Sequence, residues 1–206
     1  MENQAKIIEE TKAYVKERLG MEGSGHDYWH VIRVYNNALH IADKEKEADV
    51  FVVALAALLH DMADHKFGYS DGDRQTIITN FLSKYALEER IINQVVDIAN
   101  SISFKKGQND SKVLSLEGQI VQDADRLDAI GAIGIARAFS FGGHFNRLIY
   151  DPSKESSDDT ISHFYEKLLL LKDRMNTKTG RSLAEKRHLY MADFLKQFYK
   201  EWQAEK

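Results

Sequence analysis

Apolar residues recur at intervals of three and four along almost the whole chain, with polar residues between them. That is the period of helices that each bury one face. Ile91, Ile92, Val95, Val96, Ala99 and Ile102, for example, fall on a single helical face. The pattern predicts helices over about residues 4–19, 27–43, 48–62, 72–85, 88–103, 115–141 (with a break inside), 157–175 and 181–203. No stretch alternates with a period of two, so no sheet is expected. The predicted fold is all-α: a single-domain helical bundle over residues 1–206, its C-terminal helices packing on the rest.

The breaks have chemical causes. Gly20 suits the end of the first helix, and Gly23-Ser24-Gly25 makes a flexible lead into His26. Asp71 is expected to cap a helix that begins near Gly72. Gly107 marks an exposed loop, and the Lys105-Lys106 pair before it reads as solvated. Gly142-Gly143 is expected to end a helix ahead of His144. Asp151-Pro152-Ser153 then starts a loop leading to the capping residues of 156–159, and residues 176–180 separate the last two helices. The sequence has no internal repeat.

Composition narrows the chemistry. Hydrophobic residues make up 43% of the 206 residues and charged residues 29%, enough apolar material for a core. Lys and Arg number 28 against 32 Asp and Glu, a net charge of −4, which gives no electrostatic reason to bind long nucleic acid. There is no cysteine, so disulfides, thiolate metal sites and cysteine nucleophiles are all excluded, and a metal would need His, Asp or Glu. The N-terminal segment is charged throughout without an apolar signal core, and the longest apolar run, Val50 to Leu59, is too short to span a membrane. The expectation is a cytoplasmic protein.

Four polar residues stand where their helices are otherwise apolar. His30 lies within Tyr28-Trp29-His30-Val31-Ile32, His60 and Asp61 end the run from Val52 to Leu59, and Asp125 sits in Ile120-Val121-Gln122-Asp123-Ala124-Asp125-Arg126-Leu127. An imidazole or carboxylate beside a buried face is costly without a strong partner, and a divalent cation is such a partner. Two imidazoles and two carboxylates form a mixed nitrogen and oxygen site for one divalent ion. Mn²⁺ is favoured, with Mg²⁺, Co²⁺, Ni²⁺ and Fe²⁺ as alternatives. Asp123 and Asp128 compete with Asp125 for the fourth place. A His-Asp dipeptide alone is weak evidence, since the chain has two, His26-Asp27 and His60-Asp61. The ordered set is the specific signal.

That ordered set resembles the signature of the HD-domain metal-dependent phosphohydrolases, H…HD…D on a bundle of helices. The resemblance covers about residues 26–150, in the strings beginning at His26, Leu58 and Gln122. It implies an enzyme of the small stand-alone bacterial type, with His30, His60, Asp61 and Asp125 as metal ligands. Two departures narrow the substrate. Alarmone hydrolases of this family carry Glu-Asp after the HDxx motif, where this chain has Asp64-His65. Cyclic-dinucleotide phosphodiesterases carry Lys three residues after the Asp, where this chain has Asp64. An acid at that place resembles the members that act on nucleoside phosphates.

The expected substrate is therefore a small nucleotide, and the first reaction is cleavage of a nucleoside triphosphate to a monophosphate and pyrophosphate. Dephosphorylation of a monophosphate is second. From another class, the alternative is a non-catalytic module that senses a ligand or partner. Asp64, one turn beyond His60, is the candidate general base. His26 is a candidate substrate-facing group. Lys66 and Arg147 are candidate phosphate contacts, with Arg126 and Arg137 in reserve. Tyr28, Trp29, Phe139 and Phe141 are read as core.

Overall fold

The computed structural model describes residues 2–20, 27–62, 70–102, 113–153 and 158–204. Among the described residues there are nine α-helices, one 3-10 helix and no strand. The chain divides into two compact units, Met1–Ala124 and Asp125–Lys206.

In the first unit, α1 (Glu2–Leu19), α2 (Tyr28–Lys44), α3 (Val50–Leu59), α4 (Asp71–Leu82) and α5 (Glu89–Ile102) are followed by α6 (Leu116–Asp128), whose last turn crosses into the second unit. Helix α3 is the centre. Every residue from Phe51 to Leu59 is buried, as befits a helix apolar on all sides. Helices α1, α2 and α5 pack against it, and α4 packs on α5. Asp49 caps α3 by accepting from the amides of Phe51 (3.0 Å) and Val52 (3.2 Å), while its own amide donates to Glu117 at the start of α6 (3.1 Å).

Several boundaries differ from expectation, each for a local reason. Helix α3 ends at Leu59 rather than 62, so His60 is its cap and Asp61 lies in the turn beyond. Asp71 is not the cap of α4. Ser70 is, in a reciprocal capping box with Asp73 that satisfies two amides together (3.2 and 2.7 Å). Trp29 is not core but 62% exposed.

The second unit holds α7 (Gly131–His144), α8 (Thr160–Glu166), the 3-10 helix Leu168–Arg174 and α9 (Lys178–Trp202). Helix α7 packs on α8 and α9, and the 3-10 helix on α8 and α9. Phe139, Phe164 and Phe194 form its aromatic centre, with ring centroids 6.0 Å apart. The break expected inside 115–141 falls between α6 and α7, where Gly131 adopts φ +76°. A side chain there would be strained, and its Cβ would sit 3.0 Å from the Arg187 side chain. Gly142 and Gly143 do not end α7; it runs through both to His144. The 176–180 segment is not a separator throughout, because Thr177 caps α9 and residues 178–180 are its first turn.

Candidate metal centre

Three helices of different sequence origin supply the ligand candidates. His30 is the third residue of α2, and the helix start is fixed by Asp27, whose carboxylate accepts from the His30 amide at 2.7 Å. Asp27 was not singled out in the sequence, although an aspartate just before an apolar-periodic run is the usual helix-start signal. His60 caps α3, and its Nδ1 lies 2.8 Å from the Ala57 carbonyl. A carbonyl only accepts, so Nδ1 is the donor in this contact. Asp125 stands on α6, one residue past Ala124, on a helix whose preceding residues belong to the first unit.

These helices bring one donor atom each from His30, His60 and Asp125 to within 4.8 Å of one another. The two imidazole rings are 5.4 Å apart and inclined at 67°. Asp61 is not in that three-residue set but borders it. Its Oδ2 is 3.5 Å from His30 Nε2 and its Oδ1 is 3.8 Å from His60 Nε2. Two atoms that each bind one six-coordinate ion at about 2.1 Å are separated by about 3.0 Å when adjacent and about 4.2 Å when opposite. The two His–Asp distances fall inside that interval. His30 is fully buried, His60 nearly so, and the Asp61 side chain is 13% exposed. Two buried imidazoles and carboxylates at these distances fit a divalent cation with nitrogen and oxygen donors.

The three competing aspartates of α6 take different places. Asp125 joins the imidazoles, whereas Asp123 is fully buried and outside that set. Asp128, also buried, accepts from Arg137 Nη1 at 2.8 Å. Arg187 donates to the Leu127 carbonyl beside it. Burial pulls the Arg187 guanidinium below its ordinary value, and the Asp128 carboxylate opposes that shift. Two cations thus gather at the C-terminal end of α6, where the helix dipole favours them.

Of the other predicted site residues, His26, Asp64 and Lys66 lie outside the described residues. Arg147 is described. It forms an ion pair with Asp158 at 3.0 Å and lies over the Phe141 ring, 5.6 Å from its centroid. Arg126 donates to the Arg174 carbonyl, and Arg137 is engaged by Asp128.

The helical fold agrees with comparison to known proteins. The HD domain family model matches residues 28–130, and the chain belongs to that family. It is 42% identical to Bacillus subtilis YpgQ over 197 residues, covering 95% of this chain and 94% of YpgQ. Its structure is similar to that of YpgQ in complex with ADP, with a TM-score of 0.81, 38% identity and 96% of each chain covered. An HD-superfamily hydrolase from Bacillus thuringiensis aligns with a TM-score of 0.83 and 42% identity over 98% of this chain and all of that one. Among the described residues no helix is long and apolar enough to cross a membrane.

Proposed function

We propose that the protein is a divalent-metal-dependent phosphohydrolase that acts on small nucleotides, working as one module over residues 1–206. The observation that carries this reading is the convergence of His30, His60 and Asp125 donor atoms within 4.8 Å, with Asp61 3.5 and 3.8 Å from the imidazoles. In this reading His30, His60, Asp61 and Asp125 hold one ion, Mn²⁺ by preference. When bound, such an ion supplies Lewis acidity, making a water more acidic and offsetting phosphate charge. ADP bound to YpgQ and the hydrolase class of the Bacillus thuringiensis neighbour support a nucleotide substrate and a hydrolytic reaction.

The chain's own groups then divide the work. Asp64, four residues past His60, accepts the proton of the attacking water. His26 faces the substrate, and Lys66 and Arg147 neutralise its phosphates. Arg147 reaches a phosphate by exchanging its partner Asp158, an exposed carboxylate whose attraction solvent screens. The bond we assign is the one between the α and β phosphates of a nucleoside triphosphate, giving a monophosphate and pyrophosphate.

Product-resolved assays of ribo- and deoxyribonucleotides with Mn²⁺ test the reading. Pyrophosphate and monophosphate are the expected products. Orthophosphate released from monophosphates alone would make the protein a nucleotidase. Inactivity on every nucleotide, with metal bound, would leave it as a sensing module.

A further inference from the structure

Helix α4 carries one residue that its packing does not call for. Its inward face reads Arg74, Ile78, Phe81 and Leu82, at helical spacing, and all four are buried. Arg74 is 1% exposed. A guanidinium in that position is costly unless its donors are used. Two of them are used on backbone. Nε donates to the Met62 carbonyl and Nη1 to the Ala99 carbonyl, both at 3.1 Å.

The two acceptors are placed tellingly. Met62 directly follows His60-Asp61, and its amide donates back to the Leu59 carbonyl at 3.2 Å, closing a turn around those two residues. Ala99 is the first of the last four residues of α5, whose carbonyls lie past the reach of the helix's own amides. One planar, forked cation therefore joins the His60-Asp61 turn to the end of α5. A lysine has no such fork and cannot fix two directions at once.

We propose that Arg74 is a positioning residue for the metal centre: its buried guanidinium sets the turn that presents His60 and Asp61 to the ion. The inference rests on the metal reading above. His60 Nδ1 is already tied to Ala57, so the ring's remaining freedom follows the backbone of 57–62. Asp61 has no helix to hold it, and the Arg74–Met62 bond is anchored one residue away. Support of this kind orients ligands, and its loss typically weakens metal binding by about 10–100-fold.

The test uses the full chain stripped of metal and titrated with Co²⁺, reading both the dissociation constant and the visible d–d absorption. Arg74→Met is expected to weaken Co²⁺ binding at least tenfold and to alter the band. Arg74→Lys should fall between it and the parent protein. Phe164→Leu, in α8, serves as a destabilised control and should lower the melting temperature while leaving affinity and spectrum unchanged. A purely structural role for Arg74 would make its variants behave like that control, which overturns the proposal. If Arg74→Met does not fold, Arg74→Lys decides alone, and parent-like affinity and spectrum in it have the same consequence. Absence of Co²⁺ binding in the parent protein would instead sink the metal reading, and this proposal with it.

Discussion

His60→Ala separates metal binding from folding, because the side chain does two things that can be weighed apart. Its Nδ1 donates to Ala57 at 2.8 Å, a bond whose loss costs about 1 kcal/mol, and that loss is present without any metal. Its ring also supplies one of the three donors within 4.8 Å. Loss of a supporting residue alone lowers metal affinity about 10–100-fold, so loss of a ligand should exceed that. An ion at 100 times its dissociation constant stabilises the fold by about 2.7 kcal/mol. For a chain of this size, 1 kcal/mol moves the melting temperature by about 2–4 °C. Mn²⁺ should therefore raise the melting temperature of the metal-free parent protein by about 5–11 °C. It should hardly move His60→Ala at the same concentration, and Asp61→Ala should behave the same way. Differential scanning calorimetry with and without Mn²⁺ measures the shift, and elemental analysis measures occupancy. A full metal complement and a parent-like shift in both variants would refute the ligand assignment.

Asp64→Asn is expected to keep metal content and lose about 10²–10⁴ in turnover, since an amide cannot accept the water's proton; near-normal turnover would make Asp64 structural. Lys66→Ala and Arg147→Ala should raise KM with metal content unchanged, and unaltered kinetics in both would place the phosphate contacts elsewhere. Gly131→Ala should destabilise by more than about 1 kcal/mol, because it combines a positive φ with a 3.0 Å approach to Arg187; a parent-like denaturation midpoint would contradict that. His163 is held below the ordinary histidine value first by burial, then by the charges of Lys167 and Arg147, against the opposing Glu166 and Asp158. Its neutral form is the one the fold prefers, so its contribution is intact above about pH 6.5 and is lost as pH falls through the lowered value. His163→Gln should flatten that acidic loss in a series of melting curves, and an unchanged pH profile would count against it.

The helical class and most helices were legible because burial of one face imposes its period directly on the sequence. The ends were less so, since they depend on which side chain reaches which amide. Ser70 and Asp71 are both good caps by type, and only the reciprocal bonds of Ser70 with Asp73 distinguish them. The glycines at 142 and 143 do not stop α7. Gly142 is instead a place of close packing, where a Cβ would lie 2.3 Å from the Thr160 hydroxyl. Trp29 suits a core by residue type, but its neighbour His30 takes the buried side of α2.

The candidate metal centre was legible in its residue types and order, but not in the support that gives it geometry. Asp123, Asp125 and Asp128 are chemically alike and lie within six residues. What parts them is the direction each takes from α6: one toward two imidazoles, one into the buried interior, one to Arg137. The same holds for the arginines. Arg137 suits a phosphate by its guanidinium, and in the fold a buried carboxylate, Asp128, engages it. Arg74 carries a sequence signal of its own, a charge on the Ile78–Phe81–Leu82 face of α4. The rule that exposed His60 and Asp61 as candidates, that a polar group on an apolar face needs a strong partner, applies to Arg74 with equal force. For the histidine and the aspartates that partner fits a cation; for the arginine it includes the pair of backbone carbonyls that frames the His60-Asp61 turn. The polar residues on the buried faces of α2, α4 and α6 thus belong to one physical problem, how to hold a buried polar or charged group in a fixed place.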